Sequence, residues 1–181
     1  IRSGHEVVFV EANEAHAAAI RAGGLTLSGQ VDAVVRAPVF APGAYDGPVE
    51  RLLLAVKSRD TIAALTPFAD RLAPDGYVLS LQNGLEEDKI AAIVGRRRTL
   101  GAYLTFGGYY TGPGQIVYGG PGSFKIGELD GAPSARIDAL QAALSSQQKV
   151  DVTANIFGYL WSKMALGSVY FGTAVVDAPV V

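Results

Sequence analysis

Three polar residues of different hydrogen-bonding type each follow an apolar run of the sequence. Glu11 comes after EVVFV, Lys57 after LLLAV, and Asn83 after VLSLQ. In an open α/β sheet, ligands bind at the carboxyl ends of the parallel strands, so polar residues at those points are candidates for a ligand site. A carboxylate, an ammonium group and an amide together supply the donors and acceptors that a nucleotide requires.

Each of these residues has a functional and a purely structural interpretation. An acidic residue at Glu11 can accept hydrogen bonds from both ribose hydroxyls and repels a 2′-phosphate, which favours NAD over NADP; it also fits a solvated loop residue. Lys57 can donate to a phosphate, a ribose or a carboxylate, or be a surface lysine. Asn83 fits a helix N-cap with Glu86 completing a capping box, and a helix N-terminus can also hold a polar ligand group.

Lys163 is the fourth candidate, and its surroundings differ from those of the others. It lies two residues after Trp161, the only tryptophan, and no charged residue follows it from Met164 to Val176. A lysine beside such a run can extend its charge from the edge of the core to water. Alternatively it is held in a partly desolvated site, where its pKa falls and it can donate or accept a proton.

Composition excludes several other classes of function. The 181 residues carry a net charge of −2, which gives no reason to expect a nucleic-acid partner. With no cysteine and two histidines, neither disulfides nor a metal centre are expected. No signal peptide is recognisable, and the uncharged run is shorter than the roughly 18–20 residues that span a bilayer. We expect a cytoplasmic protein without a membrane partner.

The elements that position the candidates alternate between strand and helix. This alternation predicts an α/β fold with a doubly wound, mostly parallel sheet. The predicted strands are Glu6–Val10, Leu25–Leu27, Ala33–Arg36, Arg51–Val56, Tyr77–Leu81 and Thr99–Phe106. The predicted helices are Glu14–Ala22, Asp60–Leu72 and Leu85–Val94, with a loop over Pro38–Pro48 and a turn at Pro74–Gly76. Gly4 fits the C-cap of a helix that ends over Ile1–Ser3.

The second half of the sequence has a different pattern. Gln115–Tyr118 and Ser123–Gly127 are predicted to pair as an antiparallel hairpin at the sheet edge, joined by Gly-Gly-Pro-Gly. A helix over Ser134–Ser146 and a strand over Val150–Val152 follow. Asn155 then opens a long apolar helix, so a domain boundary is placed near residue 153.

Taken together, these motifs resemble the ketopantoate reductase (2-dehydropantoate 2-reductase) family. The matching segments are GHEVVFVEANEAHAAAIRAGGLTLSG, LLLAVKSRDT, VLSLQNGLEEDKIAAIVG, LGAYLTFGGYYTGPGQIVYGG and WSKMALG. The resemblance implies a Rossmann-type cofactor domain (residues 1–152) and the first helix of an all-helical substrate domain (residues 153–181). It implies hydride transfer from NAD(P)H to the ketone of a 2-oxo acid, in a cleft between the two.

The resemblance also implies roles for individual residues. WSK places Lys163 at the general acid, and LQNG places Asn83 beside the nicotinamide ribose and the substrate, with Gln82 as a further cofactor contact. AVK places Lys57 at the rim near cofactor and substrate. Glu11 departs from the usual NADP preference and favours NAD.

Two further departures from the family pattern concern the ends of the sequence. The glycine-rich phosphate turn and the strand before it have no counterpart in these 181 residues, and the helical domain is represented by its first helix only. A third departure lies on the helix after Lys163. Family members that act on ketopantoate typically carry asparagines there, whereas this sequence has Gly167, Ser168, Tyr170 and Phe171. The expected partner is therefore a small 2-oxo acid, ketopantoate or a relative, with a homodimer as the assembly considered.

Two alternatives stay open at this point. A non-catalytic dinucleotide-binding module, such as a redox sensor, would bind the cofactor and reduce nothing. A different Rossmann dehydrogenase, acting on a 3-hydroxy acid or glycerol phosphate, would share the βαβ start but not LQNG followed by WxK.

Overall fold

The fold is given by a computed structural model that describes residues 4–146 and 148–173. In chain order, the strands are β1 (Phe9–Val10), β2 (Leu25–Gly29), β3 (Ala33–Val35), β4 (Val39–Phe40), β5 (Val49–Leu54), β6 (Leu72–Ser80), β7 (Thr99–Leu104), β8 (Gly108–Gly112), β9 (Gln115–Tyr118), β10 (Phe124–Glu128) and β11 (Asp151–Val152). The α-helices are α1 (Glu14–Gly23), α2 (Thr61–Leu65), α3 (Glu87–Val94), α4 (Ala135–Leu144) and α5 (Ile156–Thr173). The helical turn predicted over Ile1–Ser3 lies outside the described residues, and Gly4, its predicted C-cap, has φ +81°.

A five-stranded sheet with the order β11-β10-β7-β6-β5 forms the centre of the molecule. Strands β5, β6 and β7 are parallel neighbours, β10 is antiparallel to β7, and β11 is parallel to β10. Successive residues of a strand point to opposite faces. Leu79 accordingly packs with Ile137 of α4, whereas Val78 packs with Leu65 of α2 and Ile90 of α3. The predicted α/β class with a mostly parallel sheet is confirmed.

A second, four-stranded sheet has the order β3-β2-β9-β8. The predicted hairpin between Gln115–Tyr118 and Ser123–Gly127 is wrong, because β9 and β10 belong to different sheets. Strand β9 instead pairs antiparallel with β8, and the two are joined through Pro113 and Gly114. Gly114 has φ +72°, a left-handed conformation that glycine adopts readily. The turn that closes a hairpin is therefore Pro-Gly at 113–114.

The loop predicted over Pro38–Pro48 contains a short strand, β4, that pairs in parallel with β1. The backbone nitrogen of Glu11 donates to the Phe40 carbonyl oxygen at 3.0 Å, which continues this pairing past the end of β1. Strand β1 itself is shorter than the predicted Glu6–Val10. The prolines of this segment predicted a loop, and β4 was missed because its two residues form a strand only by pairing with β1, about 30 residues earlier in the chain.

The predicted helix over Asp60–Leu72 is interrupted. Helix α2 ends at Leu65, and a 3-10 segment over Thr66–Arg71 follows, with Pro67 near its start. Proline has no backbone N–H and cannot continue the α-helical hydrogen-bonding pattern. The turn predicted at Pro74–Gly76 lies inside β6, where four residues of β6 stand opposite one of β5 between the register pairs Val49–Leu72 and Arg51–Tyr77. The turn residues thus form a bulge.

Helix α5 follows β11 directly and starts where the domain boundary was predicted. Asn155 accepts a hydrogen bond from the Gly158 backbone nitrogen at 3.0 Å, which satisfies a donor in the first turn. Ile156 and Leu160 are buried on the same face of α5, against Leu129. None of the helices in the described parts of the chain is long and apolar enough to span a membrane.

Candidate active site

Lys163 and Asn83, which are 80 residues apart in the sequence, are in direct contact. The Lys163 Nζ donates to the Asn83 Oδ1 at 2.7 Å and to the Leu104 carbonyl oxygen. The ammonium group also lies 5.8 Å from the centre of the Tyr103 ring. The contact joins helix α5 to the carboxyl ends of β6 and β7, which is the edge of the sheet where a ligand is expected.

The position of Lys163 follows from the packing of α5 against the sheet. Ile156 and Leu160 anchor the start of the helix in the core, and Tyr159 packs against Tyr103 with ring centres 5.4 Å apart. Residues three, four and seven positions apart share one face of a helix. Lys163 therefore extends the buried face to the point where β7 ends, so its amine reaches the rim of the sheet.

The ammonium group of Lys163 is held by neutral oxygen atoms only. Its hydrogen-bond acceptors are an amide oxygen and a backbone carbonyl, and burial lowers the pKa of its amine. A protonated lysine has three N–H donors. Two of them point at Asn83 and Leu104, so the third has no acceptor among the residues that the structure describes. Lys163 can therefore donate a hydrogen bond, and then a proton, to a bound ligand.

The loop that carries Asn83 is fixed by three hydrogen bonds to the segment that follows β5. Ser58 Oγ donates to the Asn83 carbonyl oxygen at 2.8 Å. The Gln82 Nε2 donates to the Val56 carbonyl oxygen and to Thr61 Oγ1, both at 2.9 Å. These bonds restrict the backbone on both sides of the Asn83 side chain, which leaves its amide at the surface.

Gln82 lies below this rim, with 5% of its surface exposed. Its amide nitrogen donates to the Val56 carbonyl oxygen and to Thr61, so the cofactor contact expected of Gln82 stays a prediction. Thr61 and Ser58 were not singled out by sequence reasoning, although both belong to the motif AVKSRDT that contains Lys57. Their hydroxyl groups, one and four residues after Lys57, were the feature of the sequence that could have identified them.

The predicted capping box between Asn83 and Glu86 does not form. Helix α3 begins at Glu87, and Glu86 makes no side-chain cap. The Glu86 carboxylate instead contacts Thr61 Oγ1 at 2.9 Å and Lys89 Nζ at 3.0 Å. Since Asn83 lies outside the first turn of α3, its side-chain oxygen is available to Lys163.

Glu87 is a further buried carboxylate near this loop that sequence reasoning missed. It is 1% exposed, and neither carboxylate oxygen has a hydrogen bond of normal geometry within residues 4–146 and 148–173, although the Ser80 hydroxyl is close enough to oppose the effect of burial on its pKa. Burial raises the pKa of its carboxyl group. In the sequence it is indistinguishable from its neighbour Glu86, whose carboxylate is paired.

Glu11 and Lys57 lie after β1 and β5, as the sequence predicted, but outside the contact between Lys163 and Asn83. The Glu11 Oε1 accepts a hydrogen bond from the Asn13 backbone nitrogen at 2.7 Å. Lys57 is exposed and directly precedes Ser58. Neither side chain is bonded to Lys163 or Asn83 in the described parts of the chain. The structure thus joins two of the predicted site residues directly and a third, Lys57, through its neighbour.

Comparison with known proteins identifies the family. A family described as ketopantoate reductase PanE/ApbA matches residues 1–131. The chain belongs to this family. The match includes the candidate residues Glu11, Lys57 and Asn83, while Lys163 lies beyond it on α5.

Individual relatives match a larger share of the chain than the family model does. A 2-dehydropantoate 2-reductase of Halobacterium salinarum is 30% identical over 147 residues, covering 80% of this chain and 48% of the relative. The structure of a PanE/ApbA family ketopantoate reductase from Ralstonia eutropha JMP134 has a TM-score of 0.81 and 30% identity, covering 93% of this chain and 55% of that one. The chain spans about half the length of the curated relatives it matches.

One structural neighbour with a similar fold has a different name. D-mandelate dehydrogenase, whose structure was determined with NADH and anilino(oxo)acetate, has a TM-score of 0.80 at 22% identity and covers 93% of this chain and 55% of that one. At this identity the likeness concerns the fold alone. The fold of this chain is therefore also found in a D-mandelate dehydrogenase.

Proposed function

We propose that the protein reduces the ketone of a 2-oxo acid, ketopantoate or a related compound, with a nicotinamide cofactor as hydride donor. The observation that carries the proposal is the hydrogen bond from Lys163 to Asn83 at the carboxyl ends of β6 and β7. Membership of the ketopantoate reductase family supports the reaction class. The cofactor, when bound, supplies the hydride that reaches the ketone carbon.

Lys163 acts as the general acid in this proposal. Its third N–H donates to the ketone oxygen, and as negative charge develops on that oxygen, the proton moves from Nζ to form the hydroxyl group. The amine is left neutral and takes a proton from solvent for the next turnover. Burial, which lowers the pKa of the amine, makes this transfer easier than from a fully solvated lysine.

Asn83 orients the acid and contacts the ligand. Its Oδ1 holds the amine, and its amide nitrogen has no partner in the described parts of the chain, so this group can donate to a substrate oxygen or a ribose hydroxyl. Two hydrogen bonds hold this loop, and with it the amide, in position during turnover: Ser58 donates to the Asn83 carbonyl oxygen, and Gln82 donates to the Val56 carbonyl oxygen. Gln82 is thereby assigned a supporting contact from below the rim.

The residues at the rim fit a dinucleotide. One oxygen of Glu11 is used by Asn13, which leaves the other to accept from a ribose hydroxyl. Lys57 is exposed at the end of β5 and can donate to a phosphate or a hydroxyl group. Because a carboxylate at Glu11 repels a 2′-phosphate, we propose NAD as the preferred cofactor.

The experiment that tests the proposal is an assay of the intact protein against a panel of 2-oxo acids, including ketopantoate, with NADH and NADPH in parallel. We expect substrate-dependent loss of absorbance at the nicotinamide band, with NADH the better cofactor. Calorimetry in the same preparation separates the outcomes: cofactor binding without turnover on any 2-oxo acid would replace the reductase by a non-catalytic binding module. Turnover with a preference for NADPH would overturn only the role of Glu11.

A further inference from the structure

The end of β7 contacts Lys163 through two consecutive residues. The Leu104 carbonyl oxygen accepts a hydrogen bond from the Lys163 Nζ, and the same Nζ lies over the ring of Tyr103, 5.8 Å from its centre. Successive side chains of a strand point to opposite faces. The Leu104 side chain accordingly packs with Ile137 of α4, whereas Tyr103 packs with Leu160 of α5. One strand end thus presents both a carbonyl oxygen and an aromatic face to the amine.

Tyr159 holds this arrangement together from the helix side. Its ring packs against that of Tyr103, with the ring centres 5.4 Å apart and the planes inclined by 51°. Tyr159 precedes Lys163 by four residues, so both side chains lie on the same side of α5. The contact between the two rings therefore keeps α5 against β7, and with it the amine over the ring of Tyr103.

The charged groups around the two rings are balanced on one side only. Beyond Tyr159, Lys125 and Lys149 both pair with Asp151. On the other side, Lys163 is the only charged residue of α5, and its acceptors after β6 and on β7 are neutral oxygen atoms. Burial lowers the pKa of the Lys163 amine. A general acid must nevertheless carry its proton when the substrate is bound.

The ring of Tyr103 supplies an attraction that favours this proton. The face of an aromatic ring is negative, and it attracts an ammonium group within about 6 Å of the ring centre. We propose that Tyr103 is a positioning residue, which holds the Lys163 amine at the rim and favours its protonated form through the face of its ring. The inference rests on the proposed function, because the need for a protonated amine comes from the role of Lys163 as general acid.

An aromatic face acts on the lysine differently from a carboxylate. Asp151 accepts a hydrogen bond from Lys125 and so occupies one of its donors. At 5.8 Å from the centre of the Tyr103 ring, the attraction acts on the charge of Lys163 as a whole and uses no N–H donor. Tyr103 thereby favours the charged acid and leaves its third N–H for the ketone oxygen.

The test removes electron density from the ring while its shape is kept. Tyr103→Phe retains the aromatic face, and Tyr103→trifluorophenylalanine retains the packing but weakens the attraction for a cation, because fluorine withdraws electrons from the ring. NMR titration of the lysine side-chain carbons in the intact protein measures the pKa of the Lys163 amine. We expect Tyr103→Phe to titrate like the wild-type protein and the fluorinated variant to titrate about 0.5–1 pH unit lower. The alkaline limb of kcat should move down by the same amount.

Tyr109 on β8 provides the matched control, because its ring is 66% exposed and lies outside the contacts of Lys163. Tyr109→trifluorophenylalanine should leave the titration of Lys163 unchanged. The inference is overturned if the fluorinated ring at position 103 gives the same pKa as Tyr103→Phe, or if fluorination at 109 shifts the pKa equally. Thermal unfolding should show that all three variants are folded, since each replacement is close to tyrosine in shape.

The titration separates this inference from the proposed function, because it requires no turnover. If no 2-oxo acid is reduced, the proposed function fails, and the titration alone still decides whether the ring favours the protonated amine. If 2-oxo acids are reduced and fluorination at position 103 leaves the pKa of Lys163 unchanged, only the role of Tyr103 is overturned.

Discussion

Two lysines lie on either side of the packed rings of Tyr103 and Tyr159, and their chemical states differ. Lys125 on β10 is 5.0 Å from the Tyr159 ring and donates to Asp151 at 3.0 Å, and this bond raises the pKa of its amine. Lys163 contacts the other ring but has neutral acceptors only, and burial lowers its pKa. A carboxylate partner favours the protonated form of the first lysine, whereas the second, which has no such partner, is the proton donor in the reaction that we propose.

The difference shows that residue type and aromatic surroundings do not define the function of a lysine in this fold. Lys125 and Tyr103 are register partners on neighbouring strands, so the two amines share one region of the sheet. What separates them is the acceptor that each finds: Asp151 from β11, or Asn83 from the loop after β6. The predictions below change those acceptors or the lysines themselves.

The largest effect is expected from removing each amine in turn. Lys163→Met should lower kcat by about 10²–10⁴-fold, the range for loss of a general acid, while cofactor affinity is retained. Lys125→Met removes the lysine with the carboxylate partner and should leave kcat within about twofold. Steady-state rates and calorimetry with the cofactor measure both. Comparable losses in the two variants would remove the distinction between the lysines.

Giving Lys163 a carboxylate partner should make it resemble Lys125. In Asn83→Asp, a negative charge near the amine favours the protonated lysine, so its pKa rises. Because the general acid must be protonated, kcat falls as pH rises through this pKa, and the alkaline limb of the profile should move up by about 1–3 pH units. The maximal kcat should fall as well, since the amine releases its proton less readily.

Asn83→Ala is the control for this change, because it removes the amide oxygen without adding charge. Its alkaline limb should stay near that of the wild-type protein, which the lowered pKa of Lys163 places below the ordinary lysine range. Equal displacement of the limb in both variants would show that the charge of the acceptor does not control the amine.

Burial without a charged partner of opposite sign also shifts the pKa of an acidic group, the carboxyl group of Glu87. Its pKa is raised in the folded protein, so the stability linked to its proton is present below the ordinary carboxyl pKa and is lost as pH rises through the folded value. Glu87→Gln should therefore increase the free energy of unfolding at neutral pH by about 1–3 kcal/mol, with the gain disappearing at acidic pH.

Denaturant titrations of Glu87→Gln at several pH values measure this effect. Glu86→Gln is the matched variant: its carboxylate is hydrogen-bonded to Thr61 and paired with Lys89, so the substitution should reduce stability at neutral pH. A stability gain for Glu87→Gln that is constant across pH would contradict burial of a titrating carboxyl group.

The smallest effect is expected from Asp151→Asn, which removes the acceptor that holds Lys125. The pKa of the Lys125 amine should fall, because its hydrogen bond to Asp151 is the largest cause of its rise. NMR titration of the lysine side-chain carbons follows both amines, and that of Lys163 should be unchanged. Loss of kcat in this variant would indicate that the two amines are coupled through Tyr103 and Tyr159.

Much of the fold was predictable because its signals are local. Apolar runs identified β5, β6 and β7, and the segments that follow predicted strands identified α1, α4 and α5. The errors occurred where a distant partner overrides composition or a single proline interrupts a pattern. Strand β4 inside the proline-rich loop pairs with β1, and Pro67 ends the helix that the apolar spacing predicted.

The candidate site divides in the same way. The polar residues at strand ends could be identified from the sequence, because each directly follows an apolar run. The contributions of Ser58, Thr61 and the Leu104 carbonyl could not, since they are hydrogen bonds across neighbouring strand ends. The different states of Glu86 and Glu87 also escaped prediction, because adjacent residues of one type give no signal of which carboxylate finds a partner.

The sequence by itself determined the alternation of strands and helices, the placement of Asn83 at a strand end and the uncharged helix that follows Lys163. These features depend on spacings of a few residues, which backbone geometry converts directly into faces and ends. Only the tertiary structure decided that Lys163 meets Asn83, that β9 and β10 belong to separate sheets, and that Gln82 lies beneath the rim. Those outcomes depend on packing between segments far apart in the chain, where burial and unsatisfied hydrogen bonds select one arrangement.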